Sequence, residues 1–173
     1  VMNLKIKFRE SFRPFAPSVL ADRADEFFQL PRGCQSPYML LTAPLADEKR
    51  VELSDADKDI QGLDERNVIR SEVPAVTHVD YSARVQTVDK ARHGRYYKLL
   101  KAFERKTGCP MLVNTSFNVR GEPIVCTLAD AYNCFMATNM DVLVLEQFVL
   151  HKTEQPDQRV HDVNEYLARF DLD

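Results

Sequence analysis

Pro110-Met111-Leu112-Val113-Asn114-Thr115-Ser116-Phe117-Asn118-Val119-Arg120-Gly121-Glu122-Pro123 begins as a short apolar run and turns at once into amides, hydroxyls, a guanidinium and a glycine. The apolar part predicts a strand over 110–113. A polar cluster at the carboxyl end of a strand is where open α/β sheets commonly hold ligands. Just upstream, Tyr96, Leu99, Leu100 and Phe103 fall on one helical face, with Lys98, Lys101, Glu104 and Arg105 between them, and Gly108 ends the pattern. Helix, strand and polar loop in direct succession place the chain in the mixed α/β class.

Downstream, Thr127 followed by Asp130 has the spacing of a capping box. The helix it opens is expected to bury Leu128, Ala131, Tyr132 and Phe135. Strands are expected at 142–145 and 148–150, and a short last helix at 163–170 within a polar tail, 153–173. Upstream, Pro14 and Pro17 exclude a helix interior and suit an extended segment through Leu20. Ala24, Phe27 and Phe28 predict a helix over 21–30 stopped by Pro31. The run 38–43 reads as a strand, and 75–79 with 83–88 as a hairpin turning on Asp80-Tyr81-Ser82. The interval 47–72 is rich in charge, including Asp55, Asp57, Asp59 and Asp64, with Val51, Leu53, Ile60 and Leu63 as apolar anchors. It is expected to be a mobile excursion that keeps its carboxylates away from any phosphate.

With 173 residues, 45% hydrophobic and 28% charged, the chain has the proportions of one globular domain, placed at 1–152. Its 23 Lys+Arg against 26 Asp+Glu leave −3, which argues against coating nucleic acid or an anionic membrane through bulk charge, so an anion site has to be local. No apolar run approaches the roughly 20 residues of a membrane span, and the start has no signal-peptide core. Val1 and the charged motif close behind it read as an excision from a longer chain. Cys34, Cys109, Cys126 and Cys134 form no CxxC pair and are expected to be reduced and buried in a cytoplasmic protein. Gly33, Gly62, Gly94, Gly108 and Gly121 match neither GxGxxG nor GxxxxGK[ST], so side chains must supply charge to any bound phosphate.

The densest basic group is Lys5, Lys7, Arg9 and Arg13, interleaved with Phe8, Phe12 and Phe15. It fits a solvated edge whose phenylalanines pack inward, and equally a phosphate clamp; spacing leaves both open. The stretch from Asn114 to Pro123 likewise fits a turn that satisfies its own backbone or a ligand loop. Arg84 and Arg120 are further anion candidates, while His78, His93, His151 and His161 are scattered.

Three strings carry a resemblance: Lys7-Phe8-Arg9-Glu10-Ser11-Phe12-Arg13-Pro14-Phe15-Ala16-Pro17-Ser18; Pro74-Ala75-Val76-Thr77-His78-Val79-Asp80 with Ala83-Arg84-Val85-Gln86-Thr87-Val88; and Asn114 through Ile124. Together, and in this order, they resemble the C-terminal domain of the NodU/CmcH-type carbamoyltransferases. The resemblance implies a YrdC-like fold, a twisted mixed sheet with flanking helices around an open basic cavity. It also implies that ATP and carbamoyl phosphate give carbamoyl-adenylate and pyrophosphate here, while a separate upstream domain passes the carbamoyl group to a hydroxyl acceptor. Such chemistry needs positioning and charge neutralisation more than a protein nucleophile. Magnesium would arrive with ATP, with no structural metal.

Catalytic roles are implied for Lys7, Arg13 and Arg84, and substrate or nucleotide binding for Arg9, His78, Asn114, Ser116, Asn118 and Arg120. Arg13 and Arg84 are expected to line one cavity with Ser116 and Asn118. The chain departs from the family pattern at Tyr81, where a glycine is expected, and at Leu128, where a proline is expected. A basic-cavity nucleotide- or RNA-binding module without catalysis is the alternative, and an inactive docking domain a third. No membrane or nucleic-acid partner is expected, and a homodimer stays open.

Overall fold

The computed structural model describes residues 2–155 and 163–170. In chain order it forms α1 (Met2–Lys5), β1 (Ala16–Leu20), β2 (Leu41–Pro44), α2 (Asp55–Lys58), β3 (Ser82–Val88), α3 (Lys90–Thr107), β4 (Met111–Asn114), α4 (Leu128–Ala137), β5 (Val142–Leu145), β6 (Phe148–His151) and α5 (Val163–Leu167). These elements fall into two compact units. Pro14–Thr115 makes one, and the residues up to Arg13 together with those from Ser116 onward make the other. The mixed α/β class expected from the sequence is the class observed.

In the first unit the sheet order is β2-β3-β1-β4. β1 runs parallel to β3, pairing Ser18 with Gln86, and antiparallel to β4, pairing Ala16 with Asn114; β2 runs antiparallel to β3, pairing Thr42 with Arg84. One sheet face carries Val19, Ala43, Ala83, Val85 and Met111 into a core with Phe27, Phe28 and Leu45. On the other face Leu20 and Val88 pack with Leu100 of α3. Asp89 caps α3 by accepting the Arg92 amide at 2.8 Å, and Gly108 closes it in the left-handed conformation at φ 77° that favours glycine.

Several expectations are corrected here. The segment 75–79 is not a strand: Pro74–Val76 is a 3-10 turn, and both edges of β3 are already occupied by β1 and β2. The segment 21–30 holds only a 3-10 turn, Ala24–Glu26, because Phe28 bridges to Leu45 and the Gln29 amide donates to the Pro44 carbonyl at 2.8 Å, which draws the chain out of helical geometry. β2 starts late because Met39 is left-handed at φ 54°. Leu99 is exposed, whereas Leu100, one position on, is fully buried. Apart from these corrections, the interval 47–72 contains α2 and 3-10 turns at Asp47–Lys49 and Gly62–Asn67, and Arg50 bridges to Ser71.

In the second unit Thr127 and Asp130 form the expected capping box, the two reciprocal bonds measuring 3.1 and 2.9 Å. Ala131 and Phe135 are buried, but Leu128 is exposed because it sits in the first turn, beyond the reach of the core. β5 and β6 form their own antiparallel pair, with Leu143 opposite Leu150, and pack on Phe135 and Met136 of α4. The cysteines are all free; only Cys134 is buried, while Cys34 and Cys109 are half-buried and Cys126 is exposed, correcting the expectation of four buried thiols. Among the described residues no helix is long and apolar enough to cross a membrane.

Because Leu100 fills the space between α3 and the sheet, Leu100→Ala is expected to lower the unfolding free energy by about 2–5 kcal/mol, and the exposed Leu99→Ala by less than about 0.5 kcal/mol. Urea titration of both variants checks this.

Candidate functional site

The second unit builds its most polar region around one lysine. Lys7 is 4% exposed, and its Nζ donates to the Ser116 carbonyl at 2.7 Å, to Asn118 Oδ1 at 2.7 Å and to the Asn118 carbonyl, with Ser116 Oγ at 3.4 Å. Ser116 Oγ donates in turn to Asn118 Oδ1 at 2.6 Å, and Asn118 Nδ2 to the Glu122 carbonyl at 2.7 Å. The Arg120 amide reaches back to the Lys7 carbonyl at 3.1 Å. A buried ammonium is tolerable only with such acceptors around it. Burial first, and then the nearby Arg9 guanidinium, push the Lys7 pKa down to about 8, while the Glu122 carboxylate works in the opposite direction.

The arginines around this lysine are held by a buried asparagine. Asn3, on α1, donates to the carbonyls of Ser11 at 3.1 Å and Arg13 at 2.7 Å, and its Oδ1 accepts from Arg9 Nε at 2.8 Å. Burial and the charge of Arg13 both lower the Arg9 pKa. Arg13 and Arg120 project outward, and the Glu10 carboxylate lies 3.8 Å from the first and 3.4 Å from the second. Its own backbone amide, then Arg120, Arg13 and Arg9, lower the Glu10 pKa. Solvent-exposed pairs of this kind contribute little stability, so an anion with more charge than a carboxylate can displace Glu10 at small cost. Lys7, Arg9, Arg13, Ser116, Asn118 and Arg120 thus share one unit.

Arg84, His78 and Asn114 belong to the other unit. Arg84 is exposed on β3 and shares a strand face with Gln86 two residues on. Gln86 Oε1 accepts from Asn114 Nδ2 at 2.7 Å and from Ser18 Oγ, and its Nε2 donates to the Pro37 carbonyl at 3.0 Å. Asn114 is therefore tied across three strands. His78 Nδ1 lies 3.1 Å from Ser82 Oγ, and the backbone bond from the His78 amide to the Ser82 carbonyl closes the turn at 2.8 Å. Tyr81 sits in that turn at φ 60°, a conformation that favours glycine, with the guanidinium groups of Arg50 and Arg70 over its ring at 5.0 and 5.7 Å. The glycine expected there would suit the same backbone.

Sequence reasoning passed over Asn3, Ser18, Gln86, Glu122 and Tyr166. Only the short-range spacing of Glu122 from the Asn118 loop offered a signal; Ser18, Gln86 and Tyr166 act through partners far away in sequence, and Asn3 through groups six to ten residues on. Among the described residues no cluster of His, Cys, Asp or Glu is arranged to hold a metal ion.

The chain belongs to the carbamoyltransferase C-terminus family, whose model matches residues 1–152. It is 57% identical over 173 residues to an uncharacterized protein of Synechocystis, covering 100% of this chain and 28% of that protein. It is 39% identical over 152 residues to nodulation protein NolO of Bradyrhizobium diazoefficiens, 87% of this chain and 24% of the relative. To nodulation protein U of Sinorhizobium fredii it is 38% identical over 117 residues, 68% of this chain and 17% of the relative. The chain spans less than a third of the length of each of these relatives.

The depressed Lys7 pKa has a consequence for stability. Between about pH 8 and 10.5 the unfolded chain holds a proton that the folded chain has released, so the Lys7 contribution to folding rises with pH in that window and is flat below it. Measured against Lys7→Met, the wild-type stability difference is expected to grow between pH 8 and 10, as followed by urea unfolding at fixed salt.

Proposed function

We propose that the chain is the carbamoyl-activating part of an O-carbamoyltransferase. In this reading carbamoyl phosphate, ATP and water yield carbamoyl-adenylate, pyrophosphate and orthophosphate. Water first cleaves carbamoyl phosphate to carbamate and orthophosphate, which leaves with the bridging electron pair; a carbamate oxygen then forms the new bond to the α-phosphorus, the bond from that phosphorus to the pyrophosphate oxygen breaks, and pyrophosphate leaves with its electron pair. An upstream domain of the parent protein would then pass the carbamoyl group to a hydroxyl acceptor. The YrdC-like character of the fold and a cytoplasmic location belong to the same proposal.

The observation that carries this reading is the enclosure of the Lys7 ammonium by Ser116 and Asn118, with Arg13 and Arg120 displayed beside it and held by one dispensable carboxylate. Two polyanionic substrates require neutralisation and alignment, and an enclosed ammonium with guanidinium groups displayed beside it supplies positive charge for both. Lys7 fixes the loop and adds positive potential; Ser116 and Asn118 meet the α-phosphate or ribose; Arg13 and Arg120 take up charge on the phosphates, with Arg9 behind them. In the sheet unit Arg84 is proposed as a catalytic cation, and His78 and Asn114 as substrate-binding residues. Magnesium arrives as the ATP complex, bridging phosphate oxygens.

Incubation of the chain with ATP, magnesium and carbamoyl phosphate is expected to release pyrophosphate dependent on all three, and absence of release in the full-length parent as well would refute the reading. Arg13→Ala is expected to lower that rate about 10- to 100-fold, the range for losing a charged hydrogen bond. Its thermal midpoint should move little, because the Arg13 side chain is 56% exposed and its carboxylate partner lies 3.8 Å away.

A further inference from the structure

The segment 163–170 lies beyond residues 1–152, the stretch matched by the family model, yet it is built into the Ser116–Glu122 loop. Tyr166, on α5, is 4% exposed and donates its hydroxyl to Glu122 Oε1. The other oxygen of that carboxylate accepts the Val119 amide at 2.7 Å. The Tyr166 ring meets Phe170 edge-on, with centroids 5.2 Å apart, and packs in one apolar cluster with Val119, Cys134 and Ala137. Gly121, left-handed at φ 80°, runs so close to this segment that a Cβ there would lie 2.6 Å from the Phe170 carbonyl oxygen.

Glu122 is 8% exposed, and a carboxylate taken out of water depends on each donor that reaches it. One of its donors comes from the loop it closes and the other from a helix more than forty residues later. Burial, and then the bond to Glu122, raise the Tyr166 pKa, so the phenol keeps its proton and remains a donor across the working pH range.

We propose that Tyr166 is a positioning residue for the Ser116–Glu122 loop. By fixing Glu122 it fixes the Val119 amide and the loop end opposite Lys7, and so sets how Ser116 and Asn118 present themselves to an anionic nucleotide. The role in catalysis rests on the proposed function; the role in holding the loop does not.

The test uses the full chain with Tyr166→Phe, which keeps the ring and its contact with Phe170, and with Gly121→Ala, which keeps the hydroxyl but displaces the Phe170 backbone. Three readouts are taken: hydrogen exchange at the Val119 amide, the dissociation constant for magnesium-ATP, and the KM and kcat of pyrophosphate release. In both variants exchange at Val119 is expected to quicken about fivefold or more while Val85 in the sheet is unchanged, and magnesium-ATP affinity to fall about three- to tenfold. The loss should appear as a raised KM for ATP at unaltered KM for carbamoyl phosphate, because mere destabilisation would lower the active fraction and therefore kcat alone. Unchanged Val119 exchange in Tyr166→Phe overturns the proposal, as does a loss confined to kcat. If Tyr166→Phe does not fold, Gly121→Ala decides by the same criteria. Faster Val119 exchange in a protein that binds no ATP even as wild type leaves Tyr166 as the holder of the loop and overturns the nucleotide reading.

Discussion

A single buried ammonium organises the second unit. Lys7 has almost no contact with water, and its acceptors lie 109 to 111 residues further along the chain. An ammonium in such a place has to be surrounded by oxygen, and the loop from Ser116 to Asn118 turns two carbonyls and an amide oxygen toward it. The same constraint explains Glu122, whose negative charge offsets the buried positive one while its oxygens close the far side of the loop. With Lys7 fixed, the short turn behind it is fixed as well: Asn3 holds its Arg13 end and the Lys7 carbonyl holds the Arg120 amide, while both guanidinium groups face outward.

The basic N-terminal cluster therefore combines both of the characters its sequence allowed. Phe8 packs inward, as a solvated edge would require, but Lys7 beside it is the buried cation and Arg13 the displayed one. Alternation of charge and phenylalanine cannot show which cation turns in, because Phe8 is left-handed at φ 48° and breaks the period at that position.

Local signals were legible. Gly108 at the end of α3, the Thr127 and Asp130 capping box, and the strands around Val85, Val113 and Val144 all follow from spacing within a few residues. Where a partner distant in sequence competes, local reading fails. Phe27 and Phe28 have helical spacing, yet the Gln29 amide is spent on Pro44; residues 75–79 look extended, yet β3 has no free edge for them. The polar loop after β4 was recognisable by composition, but Tyr166, which holds it from the C-terminal segment, and Asn3, which holds the basic turn carrying Arg9 and Arg13, are ordinary residues until their hydrogen bonds are seen. The resemblance to carbamoyltransferases located the family correctly because it rested on long strings of residues, which carry such distant pairings implicitly.

The division of the chain between the two units imposes an order on how it can be made. Pro14–Thr115 is one uninterrupted stretch, and its sheet can form as soon as β4 has left the ribosome. The other unit is assembled from both ends, so its first residues have to wait for roughly a hundred more to be synthesised before Lys7 meets Ser116. Closing so long a connection from an unstructured chain costs about 4 kcal/mol of entropy plus a constant. With Ala16 paired to Asn114, a sheet unit that has already folded brings its own two ends together and so shortens that connection to the distance between them.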